Sequence, residues 1–92
     1  MKLIFCPVCS DIVRLIRKKR TCECGASWGH YEEDLLHSVI GGRAVPLGLV
    51  NSEFHMALYD RPKEGLGSRF TAFVIPEKCD TVREEGGESA PG

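Results

Sequence analysis

The chain has 92 residues, enough for one domain with at most a small appended module. It is 42% hydrophobic and 27% charged with a formal net charge of −1, which argues against wholesale disorder and against a general nucleic-acid or membrane-surface binder. No apolar run approaches the roughly 20 residues of a membrane-spanning helix. Cys6-Pro7 and Cys9-Ser10 interrupt the region where a signal peptide needs its apolar stretch, so a reducing, cytoplasmic location is expected.

In chain order, Lys2 to Phe5 predicts a strand leading into Cys6-Pro7-Val8-Cys9. The β-branched residues of Asp11 to Ile16 suit a second strand. Arg17 to Arg20 forms a turn, Thr21 to Cys24 the return, and Ala26 to Tyr31 a third strand carrying Trp28. Charge is unevenly divided. Residues 1–30 hold six Lys/Arg against Asp11 and Glu23 (+4), and residues 31–92 hold six basic and eleven acidic groups (−5), which add to −1.

Over Tyr31 to Ile40 two patterns compete. Tyr31, Leu35, Leu36, Val39 and Ile40 fit one helical face ended by Gly41-Gly42, and a strand fits nearly as well. Ala44 to Val50, interrupted by Pro46 and Gly48, reads as an edge strand or irregular segment. Phe54 to Tyr59 alternates as a strand, with a helix capped by Asn51 or Ser52 as competitor. Arg69 to Ile75 predicts a strand that pairs with Phe54–Tyr59 as a hairpin across the turn-rich loop Asp60–Gly67. The last residues, 84–92, carry no large apolar side chain and read as a disordered tail.

The chemistry is concentrated in cysteine. Four of the five cysteines form two short-range pairs, Cys6/Cys9 and Cys22/Cys24, separated by twelve residues. In a reducing compartment this pattern favours metal over disulfides, and a small chain with a marginal core needs such a staple. Two tight turns each supply two thiolates, and the spacer is long enough to bring the pairs together around one tetrahedral ion. Zinc is the expected metal and iron the competitor with the same ligands. Gly25 follows the second pair, where a positive φ is often required. His30 is the nearest substitute ligand; His37 and His55 read as surface residues and Cys79 as a free thiol.

These residues, FCPVC, a basic hairpin and CECG, resemble a zinc ribbon. The following run GHYEEDLLHSVIGGRAVPLGLVNS is similar to small uncharacterised bacterial and phage zinc-ribbon proteins. The resemblance implies one structural Zn²⁺ per chain held by Cys6, Cys9, Cys22 and Cys24. Ser10 stands where many ribbons have glycine. The expected fold is a small β-rich single domain, with α+β as the other option: a zinc ribbon over 1–31, a β-rich segment with a C-terminal antiparallel hairpin or sheet over 32–83 packed on it, and the tail over 84–92.

Other groups give less. Arg14, Arg17, Lys18, Lys19 and Arg20 form a basic cluster without interleaved aromatics for base stacking. Trp28 and Tyr31 read as core packing against the ribbon, and Glu32, Glu33 and Asp34 as a solvated face. Gly41, Gly42 and Gly48 match no phosphate loop. The expected function is therefore a zinc-binding, non-enzymatic interaction or regulatory protein that docks on another protein through its β-rich half. The alternative is a nucleic-acid-binding ribbon using Arg14–Arg20. No membrane partner is expected, and exposed strand edges leave room for a homodimer.

Overall fold

A computed structural model describes residues 1–85. Among them are eight strands in two four-stranded sheets and one short helix. The strands are β1 (Lys2–Phe5), β2 (Ile12–Arg14), β3 (Arg20–Thr21), β4 (Ser27–Tyr31), β5 (Ser38–Gly42), β6 (Val45–Leu49), β7 (Ala72–Val74) and β8 (Val82–Glu85); helix α1 covers Asn51–Tyr59. One sheet has the order β2-β1-β6-β7 and the other β3-β4-β5-β8. All pairings are antiparallel except β5 with β8, which runs parallel from Ser38 opposite Val82.

The two cysteine pairs are the tips of two different hairpins. Cys6 and Cys9 lie between β1 and β2 in the first sheet. Cys22 and Cys24 lie between β3 and β4 in the second. The single strand–turn–strand hairpin expected between the knuckles is therefore corrected: β2 and β3 do not pair, and residues 15–19 cross from one sheet to the other. The crossing is fastened by the Tyr31 amide donating to the Ile16 carbonyl at 2.7 Å.

Where the sheets face each other, Ile4, Val13, Leu15, Ile40, Ile75 and Val82 form the core with Cys6 and Cys22. Ile4, Leu15 and Ile40 are the largest fully buried side chains. Apolar burial of this kind supplies the main drive to fold, at roughly 25 cal/mol per Å². The core is small and has two thiols inside it, so metal binding and packing share one region.

Further expectations change. Tyr31–Ile40 is no helix: β4 ends at Tyr31 and a tight turn leads into β5. The Asp34 carboxylate sets that turn by accepting the Leu36 and His37 amides, both at 2.9 Å. Such side-chain bonds to nearby amides compete with helix. Ala44–Val50 is no edge, because β6 lies between β1 and β7. Pro46 is tolerated there because alternate residues face alternate neighbours. The Leu49 amide donates to Met1, so the missing Pro46 N–H falls on the β7 side, where the Pro46 carbonyl accepts from Ile75 at 2.9 Å.

Phe54–Tyr59 is helix rather than strand. With both flanks of β6 occupied, the segment after Leu49 has no adjacent edge to join, and its backbone groups are satisfied internally from the Phe54 amide to the Val50 carbonyl onward. Neither Asn51 nor Ser52 caps it: Val50 is the N-cap, with no side-chain bond. The expected hairpin of this segment with Arg69–Ile75 consequently does not form. Only Ala72–Val74 is strand, paired to β6 instead. Glu84 and Glu85, placed in the tail by their composition, belong to β8 beside Ile40 and Gly41; residues 86–92 of the expected tail lie outside the described residues.

Candidate metal centre

The sulfurs of Cys6, Cys9, Cys22 and Cys24 all lie within 4.8 Å of one another. Cys6 and Cys22 are buried, Cys9 is half-buried and Cys24 is exposed. The two knuckles close in parallel fashion. In the first, the Cys6 amide donates to the Asp11 carbonyl at 2.9 Å and the Ser10 amide to the Cys6 carbonyl at 2.7 Å. In the second, the Cys22 amide donates to the Ser27 carbonyl at 2.9 Å and the Gly25 amide to the Cys22 carbonyl at 3.1 Å.

Each knuckle then needs one left-handed residue directly after its second cysteine. Ser10 has φ 63° and Gly25 has φ 84°. The one-residue difference in cysteine spacing is absorbed there: Ser10 lies four residues after Cys6, Gly25 three after Cys22. Gly25 has the backbone role expected of it, and Ser10 adopts the same region in spite of its side chain.

The donor set fits one tetrahedral ion. Sulfurs around a zinc with bonds of about 2.3 Å stand about 3.8 Å apart. Cys6 and Cys24 are separated by 3.8 Å and Cys22 and Cys24 by 3.7 Å. The surroundings favour thiolate. The Ser27 amide donates to Cys22 Sγ at 3.3 Å. The Ser27 hydroxyl is fully buried and has no hydrogen-bond partner among the described residues, which leaves it free to turn to a thiolate.

Ionisation within the cluster is divided. The Ser27 hydroxyl, opposed by burial and helped by the Cys9 and Val8 amides, draws Cys6 down to about 6. Burial raises Cys22, but the Ser27 amide and two neighbouring thiols outweigh it and leave it below its ordinary value. At Cys24 the Ala26 amide favours the thiolate, yet desolvation and the three other cysteines push it up to about 12. Four thiols this close do not all ionise alone, and a divalent cation removes that conflict.

Other residues singled out in the sequence are placed as follows. His30 is not in the cluster; its Nδ1 lies 3.0 Å from the Tyr31 carbonyl. His37 contacts Asp34, and His55 is exposed on α1 beside Phe54. Cys79 is a half-buried free thiol against Thr81, apart from the four. Tyr31 packs on the core and its hydroxyl accepts the Lys2 amide at 2.9 Å. Trp28 does not join the core: it lies on the opposite face of β4. Asn51 accepts from the Met1 nitrogen at 2.7 Å. Glu32 faces Arg83 at 3.7 Å.

Two supporting residues escaped sequence reasoning, Asp11 and Ser27. The signal was their common position, five residues after the first cysteine of each pair.

The fold and site define a small β-rich protein with four cysteines, from hairpins of two sheets, positioned to bind a metal ion. No protein family, no curated protein and no solved structure matches the chain. Among the described residues no helix is long and apolar enough to cross a membrane.

Proposed function

We propose that the chain is a zinc-stapled, non-enzymatic docking protein. Cys6, Cys9, Cys22 and Cys24 hold one structural Zn²⁺. With all four sulfurs on one ion, no coordination position is left for a substrate. The docking surface is formed by α1, the loop after it and β7, in the C-terminal half.

The observation that carries this reading is the apolar surface of that region. Helix α1 buries none of its residues. Met56, Leu58, Tyr59, Leu66, Phe73 and Val74 are all exposed, Phe73 at 48%. Strand β7 is an edge of its sheet, so its outer backbone groups are unpaired there. An extended segment of a partner protein adds to such an edge through main-chain bonds and rests on the apolar side chains beside it. A second copy of the chain is the self-partnered form of the same contact.

Phe73→Glu is the test. The ring lies on Gly48, where an added Cβ would meet it at 2.6 Å, and it is otherwise open to solvent. The substitution abolishes partner capture or self-association while zinc content and circular dichroism stay unchanged. A variant that keeps all association overturns the reading. Elemental analysis of protein purified without added metal finds about one zinc per chain. Iron as the dominant metal overturns the zinc assignment.

A further inference from the structure

The face of the second sheet that points away from the core carries a pair of rings. In β4, Gly29 points inward: a Cβ there would lie 3.0 Å from Leu15 and 3.1 Å from Ile40. By alternation Trp28 and His30 point outward. Gly41 is the register partner of Trp28, and a Cβ on Gly41 would fall 2.2 Å from the indole. The Trp28 ring therefore lies flat on the β5 backbone. The His30 ring is only 14° from parallel to it, with centroids 6.3 Å apart. That is about the two-residue repeat of a strand, roughly 6.6 Å, so the two near-parallel rings follow one another along β4 as one shelf.

The basic run borders this shelf. Lys19 Nζ lies over the Trp28 ring, 4.5 Å from its centroid, so a base that stacks there displaces the ammonium toward its own phosphate. Arg17, Lys18, Lys19 and Arg20 are all exposed, and among the described residues none of them pairs with a carboxylate. Arg83 is the contrast: Glu32 and Glu85 occupy it. The aromatics missing from the basic cluster in sequence are thus supplied across the β3–β4 hairpin.

We infer that this face binds single-stranded nucleic acid, with Trp28 and His30 receiving bases and Lys19, Arg17 and Lys18 meeting phosphates. Flat rings beside exposed cations match a polymer of flat bases joined by anions. An acidic peptide would engage the cations but has no use for the shelf. A duplex keeps its bases stacked on one another and offers them no platform. The shelf is distinct from the α1–β7 surface, so either assignment stands or falls separately.

Trp28 is the sole tryptophan, so its emission reports the site directly. The holoprotein is titrated with oligouridylate and oligothymidylate of about ten nucleotides, a duplex of equal length, uridine monophosphate and polyglutamate. The two single strands quench Trp28 saturably, with log K falling against log salt by about 0.7 per phosphate contacted. The duplex and polyglutamate bind at least about tenfold more weakly, and the mononucleotide weakest. Trp28→Leu and His30→Ala, read by polarisation of a labelled oligouridylate, each weaken binding about tenfold. Lys19→Glu weakens it and flattens the salt slope. Retained zinc content and dichroism certify folding; where Trp28→Leu misfolds, the exposed Lys19→Glu and the His30→Ala variants decide. Equal affinity for duplex or polyglutamate, an unquenched Trp28, or variants that bind as the parent overturn the inference.

Discussion

Asp11 Oδ2 accepts the backbone amide of Glu23 at 2.9 Å. This bond ties the residue after the first knuckle to the residue between Cys22 and Cys24. It is a link between the two sheets at their cysteine ends, and it holds the tight second loop in place. Such supporting bonds change metal affinity by about 10–100-fold when lost. Asp11→Ala therefore weakens metal binding at least about tenfold in competition with a chromophoric chelator. Asp11→Asn keeps an acceptor oxygen and stays near the parent. Equal affinity in all three proteins would show that the bond does not position the ligands.

Ser10 occupies a left-handed conformation, φ 63°, that glycine adopts without side-chain strain. The strain of a side chain there outweighs the added chain entropy of glycine in the unfolded state. Ser10→Gly raises stability by about 0.5–1 kcal/mol, read as a higher denaturant midpoint of the holoprotein at unchanged slope. A lowered midpoint contradicts this account of the knuckle.

Gly42 and Gly25 both have positive φ, at 68° and 84°, but only Gly42 is crowded. A Cβ at Gly42 would sit 2.1 Å from the Ala26 carbonyl oxygen, a backbone atom, while nothing lies within 4 Å of one at Gly25. Gly25→Ala costs about 1–2 kcal/mol, the conformational part alone. Gly42→Ala costs more, about 3 kcal/mol or above, because the backbone has to move as well. Equal losses in the two variants would remove the steric part of the argument.

Metal removal separates the sheets. An ion held by the four sulfurs would join Cys6 and Cys9 of one hairpin to Cys22 and Cys24 of the other, inside a small shared core. Structural zinc contributes on the order of 10–16 kcal/mol, as much as a whole domain's stability of about 5–15 kcal/mol. Chelation therefore collapses amide protection in both sheets together. Persistent protection in β5 and β8 after chelation would show that the second sheet stands alone.

Acid acts in the same direction. The bound site holds thiolates, whereas without metal Cys24, pushed up to about 12, keeps its proton. Release of the ion takes up protons, so affinity rises with pH and falls on acidification. Metal content measured after equilibration across pH decreases monotonically toward acid. A content independent of pH would be incompatible with four thiolate ligands.

The cysteine spacing alone pointed to the four-cysteine cluster, because two short-range pairs brought together make one tetrahedral donor set. The early strands were legible for a similar reason: Lys2–Phe5, the centre of Asp11–Ile16 and Ser27–Tyr31 have their pattern locally. What decided the rest lies far away in sequence. Phe54–Tyr59 alternates like a strand yet becomes helix, since β6 has neighbours on both sides. Pro46 enters a central strand because its missing amide faces Ile75, just past the end of β7. That the two knuckle hairpins fall in different sheets follows from the pairings of β1 with β6 and of β4 with β5. Local sequence determines turns and donors; only the register between distant strands determines which faces are covered and which are left open.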